Sequence, residues 1–280
     1  MKISQNLINN CNNNIFNSWI NNPEELTNKF NNAEPFEHII INNFLKQDIA
    51  EKISDEFPKN LEDYYHYNNP LEIKYAYDDI SNMSDNIKNV FYSLCSNKII
   101  DILKIITQNQ NIEYDPTCHG GGLHLHSNNG RLHMHLDYEK HPILENKQRY
   151  LNIILYLTKD WNNEWGGQTE LWDKDMTECK VKSNVEFNTA LIFKTTEKSW
   201  HGLPEPIKCP ENVFRKTLAF YYLIPLENIN SYNNKKGIGK DGYRTKAVFT
   251  KRPQDPYNPL IEKLYKIRPF RRITNEDLIL

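Results

Sequence analysis

The sequence contains few cysteines, and their spacing does not pair them. No two stand in a CxxC motif and their number is odd; the five are Cys11, Cys95, Cys118, Cys179 and Cys209. Disulfide frameworks and structural zinc sites use cysteines in closely spaced or even-numbered sets. The sequence therefore argues against both and predicts reduced thiols in a cytosol-like compartment.

Long apolar runs and a strong net charge are also lacking. No stretch reaches the 18 apolar residues of a membrane-spanning helix, and the N-terminus has no apolar segment of signal-peptide length. The formal net charge of −2 gives no overall attraction to nucleic acid or to acidic membranes. We therefore expect a soluble cytoplasmic protein with no membrane partner. Its composition does not favour a nucleic acid partner and leaves the oligomeric state open.

Positive charge is concentrated at the C-terminus. From Asn233 to Leu280 there are 12 lysines and arginines against 5 acidic residues, a local charge of +7 that leaves −9 for the remainder. This segment includes a predicted helix, Ile261–Lys266, and mixes prolines with aromatic residues. We expect it to dock on the acidic body of the protein; the alternatives are contact with a polyanionic partner and simple solvation.

The chain is long enough for one substantial domain with extensions. We predict an asparagine-rich lead over residues 1–34, a domain over 35–228 with its core at about 120–225, and a basic extension over 229–280. Apolar residues at helical spacing over Asp85–Gln108, with a break at Asn97-Lys98, predict helices that brace the main sheet. The segment Tyr64–Tyr67 is predicted as a loop near the mouth of the domain.

Short apolar segments follow one another closely in the second half of the chain. The predicted strands are Arg149–Leu157, Gln168–Trp172, Phe187–Lys194 and Phe214–Ile224. Trp165-Gly166-Gly167 separates the first two with a turn signal. Such closely spaced strands are typical of an antiparallel barrel or sandwich.

His135 and Asp137 are candidate metal ligands because they are separated by one residue in a strand-like segment. Side chains at i and i+2 project side by side from a strand, so the pair can hold one ion while His201 supplies a third ligand. Two imidazoles and one carboxylate, with other positions open, are typical of non-haem Fe(II) oxygenases. His133 shares the strand face and is the alternative to His135; the HxD spacing favours His135.

Such an oxygenase needs a two-electron reductant to split O2. Arg215 is a candidate for binding one such reductant, 2-oxoglutarate. A 2-oxo acid binds the metal through its keto acid end, and the distal carboxylate of 2-oxoglutarate requires a buried cation, which a guanidinium provides with two parallel hydrogen bonds. Thr217 lies on the same strand face as Arg215. Tyr156, on the neighbouring apolar strand, is the candidate for a further hydrogen-bond donor.

The stretch from Gly120 to Leu223 resembles the prolyl-4-hydroxylase-like branch of the Fe(II)/2-oxoglutarate-dependent dioxygenases. The matching motifs are GGGLH, HLD, RYLNIILYLTKDW, WGGQTELWD, the HG at His201 and RKTLAFYY. The Phe36–Pro58 segment also resembles the entry strand and helix of such domains, so the likeness covers roughly residues 36–225.

This resemblance implies a mainly β fold, a double-stranded β-helix (jelly-roll or cupin-like) with flanking helices. It implies that His135, Asp137 and His201 bind Fe(II), and that Arg215 and Tyr156 bind 2-oxoglutarate. O2 would be the second co-substrate, with ascorbate as a reductant that such enzymes can use. The implied reaction is hydroxylation of an aliphatic C–H bond, with release of succinate and CO2.

The resemblance does not identify the substrate. A prolyl or other protein side chain is the first hypothesis. A small molecule, such as a free amino acid or a sugar-linked compound, is the second, and a catalytically inactive binding module is the third. Repair of alkylated nucleic acid ranks below these, because the second arginine typical of that branch is lacking after Arg215.

Several neighbouring residues carry alternative interpretations. His124 and His126 either shape the pocket or lie at the surface, and Arg149 is either a strand-start ion-pair partner or a catalytic residue. Gly120–Gly122 forms either a tight, flexible connection, which we favour, or a nest for an anion. Trp200 is expected in the core rather than at the substrate, and Lys216 in solvent.

Overall fold

The computed structural model describes Ile3, Ile8 and residues 14–226 and 243–279. Cys11, most of the first 13 residues of the asparagine-rich lead, and residues 227–242 of the predicted extension lie outside the described residues. None of the described helices combines the length and apolarity needed to cross a bilayer.

A 13-stranded, mostly antiparallel sheet forms the centre of the molecule. Its strands are β1 (His38–Ile41), β2 (Tyr65–Asn69), β3 (Glu72–Tyr77), β4 (Glu113–Tyr114), β5 (Gly122–His126), β6 (Arg131–Leu136), β7 (Lys147–Tyr156), β8 (Thr169–Trp172), β9 (Cys179–Ser183), β10 (Thr189–Lys194), β11 (His201–Leu203), β12 (Arg215–Pro225) and β13 (Val248–Phe249). The main path runs β1-β10-β7-β12-β5-β3-β6-β11-β8-β9. The sheet curls into a nearly closed jelly-roll, which confirms the predicted double-stranded β-helix.

Among the described residues, five α-helices flank this sheet: α1 (Pro23–Asn31), α2 (Gln47–Asp55), α3 (Asp85–Leu94), α4 (Asn97–Thr107) and α5 (Pro259–Ile267). The predicted division into two helices is confirmed, but the break lies at Cys95-Ser96 rather than at Asn97-Lys98, which begin α4. Ser96 caps α4 by accepting a hydrogen bond from the Ile99 amide, which starts a new helix directly after α3.

Successive side chains of β7 point to opposite faces of the sheet, so this continuous apolar run contributes to two separate clusters. Leu151, Ile153 and Leu155 belong to the large cluster that includes the apolar faces of α3 and α4. Ile154 and Tyr156 belong to a second cluster inside the barrel. Because successive side chains alternate, helices cover the outside of the sheet while the inner face is left for the site.

The predicted loop around Tyr64–Tyr67 is wrong. Residues from Tyr65 onward form β2, which pairs with β3 in the register Tyr65↔Ala76 and His66↔Tyr75. Tyr64 is buried and its hydroxyl donates to the Pro58 carbonyl. The segment forms a strand because β3 provides its backbone hydrogen-bond partners, which the local sequence does not show. The β2–β3 hairpin lines the mouth of the central cavity, as predicted for this segment.

The described part of the C-terminal extension packs on the body, as its charge predicts. β13 pairs with β6, Arg244 forms an ion pair with Glu139 at 3.1 Å, and Arg252 pairs with Glu205 at 2.7 Å. The predicted helix Ile261–Lys266 is longer as α5, because Asn258 caps it. The proposed boundaries between lead, domain and extension remain a prediction.

Candidate active site

Three buried side chains converge inside the barrel: His135, Asp137 and His201. His201 on β11 lies directly opposite His135 on β6, and Asp137 follows immediately after β6 ends. The three candidate ligand atoms lie within 4.8 Å of one another. The Nε2 atoms of His135 and His201 are 3.7 and 3.8 Å from the Asp137 carboxylate oxygens.

Both imidazoles are oriented by backbone carbonyls. The Nδ1 atom of His135 lies 2.9 Å from the His133 carbonyl, and that of His201 lies 2.9 Å from the Ser199 carbonyl. These bonds place the proton on Nδ1 and leave the Nε2 lone pairs facing Asp137. Burial and the neighbouring His201 lower the pKa of His135 to about 3, and burial also lowers the pKa of His201. Both rings are therefore neutral at neutral pH, the form that binds metal.

Asp137 completes a donor set that fits Fe(II). Burial alone would raise its pKa, but the charge of Arg149 and the hydrogen bond from Arg149 outweigh burial and hold the pKa below its usual range. Its Oδ1 atom pairs with Arg149 Nη1 at 3.0 Å, whereas its buried Oδ2 atom has no hydrogen-bond partner among the described residues. A buried, ionised and unpartnered oxygen beside two neutral imidazoles is what a divalent cation requires. His133 instead contacts the Tyr265 hydroxyl through Nδ1 at 2.8 Å.

Arg149 is the ion-pair partner of Asp137. Its guanidinium carbon lies 3.8 Å from the Tyr138 ring centre and 3.5 Å from that of Tyr221, and Nη2 donates to the His119 carbonyl. The sequence suggested an ion pair at the start of the strand but not its partner. The sequence feature that could have indicated a buried role for Arg149 was its position at the start of an otherwise apolar predicted strand.

Arg215 lies in the same cavity, buried to 2% exposure. Nε donates to the Gly167 carbonyl at 2.7 Å and Nη2 to the Thr169 hydroxyl at 3.2 Å. Among the described residues no carboxylate acts on this guanidinium. Because an unpaired buried charge is costly, its retention indicates an anionic ligand, and the distal carboxylate of 2-oxoglutarate fits this requirement.

Thr169 is a residue that the sequence did not single out. Its hydroxyl oxygen accepts from Tyr156 at 2.8 Å and from Arg215. Thr169 lines the cavity, whereas Tyr156 is not among the described lining residues. With both lone pairs engaged, the threonine hydroxyl has its own hydrogen left to donate.

Gly167, the second glycine of the WGGQTELWD motif, lies where the structure leaves little room for a side chain. Its φ is +84°, and a Cβ atom there would lie 3.1 Å from Arg215 Cδ. A side chain at this position would therefore strain the backbone and press on the guanidinium side chain.

The cavity has a volume of about 810 Å³ and three walls. The barrel supplies the metal-binding set and Arg215, the β2–β3 hairpin supplies Tyr65 and Tyr67, and the C-terminal extension supplies Phe249. The Phe249 ring stacks on His135, with ring centres 5.3 Å apart.

The structure also places the remaining candidate residues, and two expectations, those for Lys216 and Trp200, need correction. His124 and His126 line the cavity. Lys216 is not free in solvent, because its ammonium group donates to the Ser54 carbonyl at the end of α2. Trp200 is partly exposed, and its indole donates to the Lys174 carbonyl. The Gly120–Gly122 connection is tight, as favoured: a Cβ on Gly122 would lie 2.3 Å from the Tyr77 carbonyl oxygen.

Comparison with known families agrees with this geometry. Residues 121–223, which contain the three candidate ligands and Arg215, match the model of the 2OG-Fe(II) oxygenase superfamily. This region belongs to that superfamily. The match confirms the superfamily predicted from the motifs, and membership implies Fe(II) and 2-oxoglutarate as cofactor and co-substrate of the oxygenase domain.

Solved structures show that this oxygenase domain shares its fold with prolyl hydroxylases. One from Trichoplax adhaerens, in complex with a hypoxia inducible factor peptide fragment, has 15% identity and a TM-score of 0.55, covering 74% of this chain and 94% of that one. Prolyl 4-hydroxylase from Phytophthora capsici has 15% identity and a TM-score of 0.52, covering 74% and 64%. No curated protein matches the sequence.

Proposed function

We propose that the protein is an Fe(II)- and 2-oxoglutarate-dependent dioxygenase that hydroxylates an aliphatic C–H bond and releases succinate and CO2. One observation carries the proposal: a complete His/Asp/His donor set and a buried guanidinium with no carboxylate partner among the described residues face the same cavity. An inactive binding module would have no need to keep both.

Each group in the cavity has a defined task. His135, Asp137 and His201 would hold the iron, with Asp137 engaging through the oxygen that Arg149 leaves free. Arg215 and the Thr169 hydroxyl would hold the distal carboxylate of 2-oxoglutarate, and Tyr156 would position Thr169. When bound, iron and 2-oxoglutarate together supply the reductive activation of O2 that the protein side chains cannot provide.

A protein side chain, such as a prolyl residue, is the substrate we favour. The cavity is bounded by the β2–β3 hairpin, where Tyr65 is 57% exposed. Exposed aromatic rings on a strand suit contact with an extended peptide. The Trichoplax adhaerens prolyl hydroxylase with the same fold binds a peptide fragment, which supports this choice.

The test is succinate release by the anaerobically Fe(II)-loaded protein after addition of 2-oxoglutarate and O2. We expect turnover by the wild type, stimulation by some members of a proline-containing peptide library, and loss of turnover in His135→Ala and Arg215→Ala. A peptide product heavier by one oxygen atom identifies the substrate class. Stimulation by free amino acids or sugar-linked compounds alone would replace the peptide hypothesis. A wild type that binds neither Fe(II) nor 2-oxoglutarate would contradict the proposed function.

A further inference from the structure

His126 is a buried histidine to which none of the described residues offers a hydrogen bond. It is 2% exposed, and neither Nδ1 nor Nε2 has a partner among the described residues. Its neighbour on the same strand face, His124, has a backbone hydrogen bond to Gly121. Leaving a buried polar group unsatisfied is unfavourable, so the bare imidazole requires an explanation.

The position of His126 relates it to Arg215. The two residues are direct cross-strand partners of β5 and β12, and both line the central cavity. Directly opposed residues project to the same side of a sheet with their Cβ atoms about 5 Å apart. The imidazole therefore lies beside the guanidinium of Arg215, for which the described part of the chain supplies no carboxylate partner.

The ionisation state suits a hydrogen-bond donor. Burial and the charge of Arg215 hold the pKa of His126 well below its ordinary value. The ring is therefore neutral at neutral pH and does not repel the guanidinium. A neutral imidazole has one N–H to donate.

The strand end that carries His126 is well fixed. In the turn that follows, Gly130 N donates to the Ser127 carbonyl and Asn129 N to the Ile207 carbonyl, while Ile207 N donates to the Gly130 carbonyl. The imidazole is thus presented from an anchored hairpin rather than from a free loop.

We propose that His126 donates a hydrogen bond to the distal carboxylate of 2-oxoglutarate, beside Arg215, and so helps to select a 2-oxo acid with two carboxylates. This inference rests on the proposed function. His126 is not one of the described residues that cluster as candidate metal ligands, so its contribution is to co-substrate binding alone.

The test is calorimetric titration of 2-oxoglutarate into the anaerobic Fe(II)-loaded protein. We expect His126→Ala to raise the Kd for 2-oxoglutarate by roughly tenfold or more, the usual effect of losing a hydrogen bond to a charged group, with Fe(II) affinity unchanged. His126→Gln keeps an N–H donor, so its Kd for 2-oxoglutarate should stay closer to that of the wild type. This variant replaces His126→Ala in the test if the alanine variant folds poorly.

Titration with a second ligand tests whether His126 contacts the distal carboxylate. For 2-oxopentanoate, which has a methyl group in place of the distal carboxylate, His126→Ala should bind as the wild type does. His38→Ala is the matched control, since His38 is also buried but is not among the described residues lining the cavity; it should leave both affinities unchanged.

Three results would overturn the inference. Unchanged 2-oxoglutarate affinity in His126→Ala, with a wild type that binds both iron and 2-oxoglutarate, would remove the role of His126 and leave the proposed function intact. An equal loss of affinity for both ligands would place the contact elsewhere on the 2-oxo acid. A wild type that does not bind 2-oxoglutarate would overturn the inference together with the proposed function.

Discussion

At the scale of single residues, Asp137 divides its two oxygens between Arg149 and the candidate metal position. The arginine is 4% exposed and enclosed by two tyrosine rings, so it cannot be replaced by water without rearrangement. In the metal-free protein it is the main charge that balances Asp137. A bound divalent cation would share that task.

Arg149→Met should therefore destabilise the metal-free protein by about 3–5 kcal/mol, the typical cost of breaking a buried ion pair. Because the cation then neutralises an otherwise uncompensated carboxylate, the increase in Tm on adding Fe(II) should be larger than in wild type. Thermal unfolding with and without Fe(II) under anaerobic conditions measures both effects. Arg131→Met, at a partly exposed arginine that donates to the Pro70 carbonyl, is the control. Equal behaviour of the two variants would refute the role given to Arg149.

Gly166 and Gly167 provide a matched pair for testing how Arg215 is positioned. Both have positive φ, +82° and +84°, but a Cβ on Gly166 would meet nothing within 4 Å, whereas one on Gly167 would press on Arg215. Alanine at either position should cost about 1 kcal/mol or more of stability. Only Gly167→Ala should also weaken 2-oxoglutarate binding, which calorimetry measures. Equal binding by the two variants would show that contact with Gly167 does not position the guanidinium.

At the scale of elements, β13 connects the C-terminal extension to the metal-binding strand. Phe249 lies opposite His135 in the register, stacks on its ring and is 6% exposed. The extension therefore acts as part of the cavity wall.

Phe249→Ala should lower the free energy of unfolding by about 3–5 kcal/mol, as expected for truncating a buried phenylalanine. Tyr257→Ala, at a side chain that is 73% exposed, should change it by less than about 0.5 kcal/mol. Chemical denaturation of both variants provides the comparison. A loss below about 1 kcal/mol for Phe249→Ala would mean that the extension does not pack on the site.

Local sequence patterns predicted the strands and the site residues that lie close together in one segment. They did not predict contacts between segments that are distant in the sequence. The i, i+2 rule was enough to pair His135 with Asp137, and the apolar runs located β7 and β12 within two residues. The enclosure of Arg149 by Tyr138 and Tyr221 depends on strand pairing that no single segment encodes. The same holds for Thr169, which gains its importance only where β8 meets Tyr156 and Arg215.

At the scale of the whole molecule, the cavity is assembled from three separate parts of the chain. The barrel holds the candidate cofactor-binding residues, while the β2–β3 hairpin and the C-terminal extension form the mouth. Ion pairs such as Arg244–Glu139 and Arg252–Glu205 hold the extension against the body. The surfaces that would contact a substrate thus lie outside the matched superfamily region of residues 121–223, which explains why the family relationship leaves the substrate open.

The most direct test of the central claim is the isotopic composition of succinate formed under 18O2 by the Fe(II)-loaded protein. Oxidative decarboxylation of 2-oxoglutarate places one oxygen atom of O2 in succinate, so the account predicts succinate with a single 18O label from the wild type. His135→Ala and Arg215→Ala should form none above background. Unlabelled succinate, or equal labelled succinate from wild type and Arg215→Ala, would contradict the assignment of this cavity as a 2-oxoglutarate-dependent oxygenase site.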